Sequence, residues 1–452
     1  MAASLSTVAI ARRALAGPAV ALGLRGSGAL LNIATFTLAA RVMAPDEFGR
    51  LAMWFSALSF LAVAAVNGQD TFIARSWGEY CGRGDPATAI AAWRSGWRMT
   101  LVGAAVAAAA LLGLGGSLTG LPDGTLRAAA AFLFMQTALH YSSGSSRVIA
   151  GFLVSESNRE ATWRVILILA LGACALAGGV TAAGFFWLAA AGMAPAILLQ
   201  LIAVRRALPA ASSNRAVAEE RGLWRARAGA MWASAVIEAA GQHADVMLIG
   251  FVASPVVAGD YFVAARIANI FLMLVSGLGA YVAAHGANLY FSGRVAELQN
   301  MFRAVVAAAV ALAAPAYLMI LLFGDAILSL FGERFAAIYP TLVVLASAAF
   351  VVAMCGLAPG VLLLTGLEAL YSRIVAAATA ARIALSAMLA IAFGATGAAC
   401  GWAFVAAPVA VALVVLCRRR RGVDPSVYCL ISPPGPLAGE MRESSLSRAS
   451  AN

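Results

Sequence analysis

Long apolar segments separated by short polar loops run through almost the whole chain. A helix that crosses the roughly 30 Å hydrocarbon core of a bilayer needs about 20 consecutive apolar residues. Twelve segments meet this requirement: 18–43, 51–68, 99–116, 128–146, 161–180, 182–204, 228–253, 261–284, 305–322, 339–364, 374–393 and 397–417. The pattern therefore predicts an all-α polytopic membrane protein with about twelve transmembrane helices.

The spans fall into two groups of six, divided by the longest polar connector. Each group has a matching turn after its first span, Pro45-x-x-x-Gly49 in one and Pro255-x-x-x-Gly259 in the other. Because each group holds six spans, two such repeats would have the same orientation and be related by an axis along the membrane normal. The predicted parts are an N-terminal six-helix bundle at 1–204, a cytoplasmic linker at 205–227, a C-terminal six-helix bundle at 228–417 and a disordered cytoplasmic tail at 418–452.

The composition supports a membrane protein, and the charges predict its orientation. Hydrophobic residues make up 62% of the chain and charged residues 11%, whereas about 25% charged residues are typical of soluble domains. All 31 basic residues are arginine, and the net charge is +11. With a cytoplasmic N-terminus, 24 arginines fall in or beside the inner loops and four in outer loops. Since basic loops mark the cytoplasmic side, we expect both termini in the cytoplasm, a multi-pass protein of the bacterial inner membrane and no nucleic-acid partner.

The sequence lacks the common signatures of soluble catalysis. Without lysine there is no Walker A loop, and neither Gly-x-Ser-x-Gly nor His-Glu-x-x-His occurs. The six cysteines have no CxxC or Cys/His spacing. The loops are also too short for a separate active-site domain. We therefore expect no enzyme activity, no cofactor, no metal site and no disulfide.

A few ionisable residues lie inside the predicted spans, where each central charge costs about 2.5 to 3.5 kcal/mol. They are Arg25, Glu238, His243, Asp245, Arg266 and Arg382, with His140 near the inner end of the fourth span. Such residues usually face a cavity or a charged partner. If Arg266, Arg382 and Arg25 face a central space, that space is cationic and suits an anionic ligand such as a diphosphate.

The carboxylates among these residues allow two interpretations. Asp245 and Arg266 lie at similar distances before and after the turn at Pro255, so they can pair at equal depth. Glu238, Gln242 and Asp245 are spaced to share one helix face. This group, together with His243, either couples transport to protons or forms a structural ion pair; the sequence leaves both open.

Three stretches resemble the oligosaccharide flippases of the polysaccharide-biosynthesis branch in the multidrug, oligosaccharidyl-lipid and polysaccharide exporter superfamily. They are Asn32–Arg41 with the following Ala44–Arg50, Ala244–Gly250 continuing to Gly259–Ile267, and Leu330–Phe335. The resemblance implies two six-helix bundles around a central cavity that opens alternately to each side of the membrane. It also implies a polyprenyl-diphosphate-linked oligosaccharide as substrate, contact with membrane lipids, and glycosyltransferases and a polymerase of the same pathway as partners. Under this resemblance the substrate-binding residues would be Arg266, Arg382, Arg25, Asn32, Gln136 and Gln242.

Two alternatives remain open at the level of the sequence. A cation-coupled drug or lipid exporter of the same fold would favour a carboxylate in the first span, where this chain has Arg25. A membrane-embedded polysaccharide polymerase or ligase would usually carry a large outer loop with catalytic residues. The longest outer connections here, around Asp123 and Asp325, are short.

Overall fold

The computed structural model describes residues 23–24, 26–119, 122–209, 217–292, 294–364 and 367–431, and all regular structure in these ranges is helical. The first eight helices are α1 (26–42), α2 (Pro45–Ala65), α3 (Gln69–Gly82), α4 (Pro86–Thr119), α5 (Asp123–Ile149), α6 (Phe152–Ser157), α7 (Trp163–Leu176) and α8 (Ala182–Ala207). A five-residue π-helical turn, Asn158–Thr162, joins α6 to α7. The remaining helices are α9 (Val217–Val252), α10 (Pro255–Phe291), α11 (Val295–Ser329), α12 (Tyr339–Met354), α13 (Ala358–Leu364) and α14 (Glu368–Arg421). Two short 3₁₀ helices cover Glu333–Ile338 and Val427–Leu430.

The predicted fold class is confirmed: all regular structure of the described residues is helical, and helices cover most of each predicted span, although the span 339–364 is divided between α12 and α13. Eight helices of this part of the chain are long and apolar enough to cross a membrane. The last of them, α14, contains both of the final two predicted spans, and the chain reverses between them at Gly394, which has a φ of 59°. A methyl group added at Gly401 would lie 2.6 Å from the Ser386 Cα, so the two halves of α14 pack as a hairpin. The orientation of the termini stays a prediction.

Close contacts divide the described chain into two units, 23–262 and from 263 onwards. The unit 23–262 includes α1 to α9 and the first residues of α10. Its centre is a cluster of phenylalanines in which the ring of Phe36 lies 5.0 Å from that of Phe55 and 4.7 Å from that of Phe262. The repeat in the sequence predicts bundles at 1–204 and 228–417, and that division stays a prediction.

The two matching Pro-x-x-x-Gly turns pack against each other inside the unit 23–262. A methyl group added at Gly49 would overlap the backbone carbonyl of Pro255, and one added at Gly259 would lie 3.0 Å from the Gly49 Cα. Each proline begins a helix, α2 or α10, where a missing N–H costs no hydrogen bond. The small residues that define the repeated turn are therefore the ones that let α2 and α10 approach closely.

The second unit closes around an apolar core that includes the segment after α14. Val423 and Cys429 are buried with Phe302 of α11. The Gln299 amide donates to the Asp424 carbonyl at 2.9 Å and accepts from its backbone N–H at 3.0 Å. The segment 423–429 therefore folds against α11, and residues 418–421 form the last turn of α14, which differs from the disordered tail predicted from residue 418. The rest of that predicted tail lies outside the described residues.

Candidate functional site

A polar cavity of about 110 Å³ lies inside the unit 23–262, beside the π-helical turn. Helix α5, the turn, α7 and α8 contribute its walls. The lining residues are Gln136, Leu139, His140, Arg159, Glu160, Trp163, Arg164 and Met193. Five of these eight side chains carry a charge or a strong hydrogen-bonding group, in a unit whose centre is otherwise phenylalanine-rich.

The π-helical turn brings Arg159 and Glu160 to the cavity. The preceding helix α6 is tied to α5 through the Ser155 hydroxyl, which donates to the Ser143 carbonyl at 2.7 Å. Within the turn, the Thr162 hydroxyl donates to the Asn158 side-chain oxygen at 2.9 Å. The π-helix is a rare conformation that occurs often at functional sites, because its extra residue rotates the side chains that follow.

The side chains of α7 complete the hydrogen bonding of this turn. The Trp163 indole N–H donates to the Arg159 carbonyl at 2.7 Å. Arg164 Nη1 donates to the Glu160 carbonyl at 2.7 Å and to Glu160 Oε2 at 2.8 Å. The Arg164 guanidinium also lies 4.7 Å from the centre of the Trp163 ring, within range of a cation–π interaction. Arg164 is thus a buried cation held by a carboxylate, a carbonyl and an aromatic face.

Arg159 is held more loosely than Arg164. Its Nε lies 3.4 Å from Glu160 Oε1, and 40% of its side chain is exposed, against 13% for Arg164. One carboxylate therefore faces two guanidinium groups. Among the lining side chains the arginines outnumber the carboxylates two to one, and Asp70, outside the lining, also interacts electrostatically with Arg159.

Two buried polar atoms of the cavity lining have no hydrogen-bond partner among the described residues. They are Gln136 Oε1 and Arg164 Nε. The Gln136 amide nitrogen is oriented by the Ser59 hydroxyl, to which it donates at 3.1 Å. Both atoms are buried within the packing beside the cavity rather than exposed on its surface.

Gln136 is the one predicted site residue that lines this cavity. Asn32 is half-buried on α1. On α9, Asp245 is buried at 7% exposure and His243 is half-buried, whereas Glu238 and Gln242 are exposed. The Gln242 amide donates to Glu238 Oε1 at 3.4 Å, as expected for residues on one helix face.

The predicted arginines lie elsewhere in the chain. Arg266 and Arg382 are half-buried, on α10 and α14. Arg25 lies outside the described residues. Asp245 belongs to the unit 23–262 and Arg266 to the second unit, so their pairing stays a prediction.

The sequence interpretation missed the π-helical turn and its arginines. Arg159 and Arg164 were counted among the inner arginines that orient the chain, but both line the cavity. One signal was available: Arg164 stands four residues after Glu160, the spacing of an intrahelical ion pair at the start of an apolar run.

Comparison with known proteins gives the fold. No family model and no curated protein sequence matches the chain. The structure is similar to an inward-facing multidrug resistance MATE family transporter of the MOP superfamily, with a TM-score of 0.73 and 13% identity over 88% of this chain and 98% of that one. It is also similar to a MOP superfamily transporter from Pyrococcus furiosus, described by a reversed polarity of its binding pocket that suggests a different function, with a TM-score of 0.62 and 14% identity over 89% and 94% of the two chains. An outward-facing MATE family transporter matches with a TM-score of 0.62 and 15% identity over 89% and 93%. The chain therefore has the fold of MATE-type transporters.

Proposed function

We propose that this protein transports a polyprenyl-diphosphate-linked oligosaccharide across the bacterial inner membrane for the synthesis of surface polysaccharide. The transport step is alternating access of a cationic cavity to the two sides of the membrane. The MATE-type fold supports transport rather than catalysis, since the similar solved structures are transporters. Glycosyltransferases and a polymerase of the same pathway are the proposed partners.

The charge of the polar cavity is the observation that favours an anionic substrate. Two arginines and one glutamate line it, and guanidinium groups bind phosphate oxygens with paired hydrogen bonds. The fold by itself is equally consistent with a drug exporter. The lining arginines favour an anionic ligand over a cationic drug, because like charges repel in a cavity with partly apolar walls.

Arg266 and Arg382 are the proposed substrate cations of the second unit. Both are half-buried on helices that belong to the membrane-spanning part of the chain. Charges at such positions are costly and usually serve a pathway or a partner. Arg25, Asn32, Gln136 and Gln242 are the proposed further substrate contacts.

Substitution of these arginines tests the proposal in cells. Deleting the gene should remove the surface glycan, and the wild-type chain should restore it. Arg266→Ala and Arg382→Ala should fail to restore it while the protein stays at normal levels in the membrane. Arg373→Ala is the matched control, because Arg373 is exposed on the same helix as Arg382. Normal glycan in the deletion strain would contradict the proposed function, and normal glycan from both variants would contradict the role of these two arginines.

Asp245, Glu238 and His243 are proposed as a proton-coupling group, with a structural ion pair as the alternative. Asp245 is a buried carboxylate on a predicted span, where an ionised group needs a partner or a proton. Transport in liposomes that depends on a pH gradient in the wild type, and loses that dependence in Asp245→Asn, would support coupling. If transport does not depend on the pH gradient, these residues have a structural role instead.

A further inference from the structure

In the polar cavity, the carboxylate of Glu160 is shared between two arginines, Arg159 and Arg164. Glu160 is closely bound to Arg164, at 2.8 Å, and only loosely to Arg159, at 3.4 Å. Arg164 has two backbone carbonyls as further acceptors, at 2.7 and 3.3 Å. A ligand anion could therefore take the place of Glu160 at Arg159 without leaving Arg164 unpaired.

Arg159 is the cation that such an anion reaches most directly, since it lines the cavity and 40% of its side chain is exposed. Arg164 Nε is buried without a partner among the described residues, and guanidinium N–H groups are strong donors to phosphate oxygens. Gln136 Oε1 is a buried acceptor without a partner among the described residues, on a side chain of the same lining. His140 stands on the same helix as Gln136, four residues further on, and also lines the cavity.

The size and walls of the cavity also fit a substantial polar group. Its volume of about 110 Å³ is several times the roughly 10 to 15 Å³ that one water molecule needs. Leu139, Trp163 and Met193 supply the apolar part of the lining. Such walls lower the local dielectric, which strengthens the attraction between a phosphate and the arginines.

We propose that this cavity binds the diphosphate group of the lipid-linked substrate, with Arg159 and Arg164 as its cations, and that the diphosphate displaces Glu160 from Arg159. The proposal rests on the proposed function and assigns the substrate's charged group to the π-helical turn. Glu160 then acts as an internal stand-in for the anion: it contacts Arg159 when the cavity holds no substrate and stays with Arg164 when it does. Phosphate chemistry is shared by the diphosphate substrate and by ordinary phospholipids, so the test must separate the two.

The binding of geranylgeranyl diphosphate to the purified full-length protein in phosphatidylcholine nanodiscs provides the test. We expect Arg159→Ala to weaken binding about tenfold or more, since it removes a charge-assisted contact. Arg159→Lys should weaken it less, because the charge remains. Glu160→Gln should strengthen it several-fold, because the competing carboxylate is gone while an oxygen that accepts from Arg164 remains. Arg94→Ala, at an exposed arginine of α4, is the control and should bind as the wild type does.

Three results would overturn the assignment. They are wild-type affinity in Arg159→Ala with a normal melting temperature, weaker binding in Glu160→Gln, and displacement of the probe by phosphatidylglycerol as effectively as by the same concentration of unlabelled diphosphate. The last result would mean that the cavity takes ordinary lipid phosphate. If the protein moves the glycolipid but binds the probe independently of Arg159, the proposed site is wrong and the proposed function stands. If it binds the probe through Arg159 but does not move the glycolipid, the proposed function is wrong and the anion site stands.

Discussion

A single largely buried side chain, Arg164, shows how this membrane protein keeps a charge inside a helical unit. Glu160 accepts from its guanidinium at 2.8 Å, the Glu160 carbonyl accepts at 2.7 Å, and the Trp163 ring covers one face. Burying a charge without such partners is strongly unfavourable. Burying the arginines of the cavity therefore costs free energy, and these contacts offset that cost while the arginines can still attract an anion.

Removing the Glu160 carboxylate should leave the charge of Arg164 without its closest partner and so lower the stability of the protein. We expect Glu160→Ala to lower the free energy of unfolding by about 3 kcal/mol, because breaking a buried pair leaves an uncompensated charge. Thermal or denaturant unfolding of the purified protein measures the loss. Glu297→Ala is the control, since Glu297 and Arg294 are more than half exposed and exposed pairs contribute little. Equal losses in both variants would contradict a buried role for Glu160.

The helix that passes beside Glu160 offers a second, local prediction. A methyl group added at Gly28 would lie 2.8 Å from Glu160 Oε2, whereas one added at Gly26 would meet nothing within 4 Å. Gly28→Ala should therefore push the carboxylate away from Arg164 and weaken transport, while Gly26→Ala on the same helix should leave transport unchanged. Similar transport by the two variants would show that α1 does not position Glu160.

Among the elements, the repeated Pro-x-x-x-Gly turns connect the sequence pattern to the packing. The repeat was visible in the sequence, but the contact between Gly49 and the start of α10 was not, because no local pattern shows which helices meet. Gly394 gives a second example. The sequence predicts that one span ends at 393 and the next begins at 397, and the structure adds that the chain reverses between them at a glycine with positive φ. The π-helical turn escaped prediction because no sequence pattern distinguishes Asn158–Thr162 from an ordinary helical turn, and its hydrogen bonds, such as that from Thr162 to Asn158, are visible only in the structure. The segment after α14 also escaped prediction, since its apolar run 427–431 is far too short to span a membrane and its burial depends on Gln299 and α11.

A methyl group at the repeated turn tests this close helix contact. Gly49→Ala should destabilise the protein by about 1 to 3 kcal/mol, because overpacking forces a backbone shift and the methyl would overlap the Pro255 carbonyl. Gly78→Ala is the matched helical control, since a methyl group there meets nothing within 4 Å. The shift in melting temperature measures both. A Gly49→Ala protein as stable as Gly78→Ala would contradict the packing of α2 against α10.

At the scale of the whole molecule, orientation and substrate remain to be measured. The arginine distribution predicts that both termini lie in the cytoplasm. A green fluorescent protein fused after Asn452 should therefore fluoresce, and alkaline phosphatase fused at the same position should be inactive. The opposite pair of results would contradict the predicted orientation.

The transport of the glycolipid itself tests the central claim most directly. The full chain is reconstituted in liposomes with a fluorescent polyprenyl-diphosphate oligosaccharide, and a membrane-impermeant quencher reports how much label reaches the outer leaflet. Wild-type protein should raise that fraction above protein-free liposomes, the Arg159→Ala and Arg266→Ala variants should not, and a cationic dye should stay where it was loaded. Movement of the dye with no movement of the glycolipid would contradict the account and identify the protein as an exporter of cations.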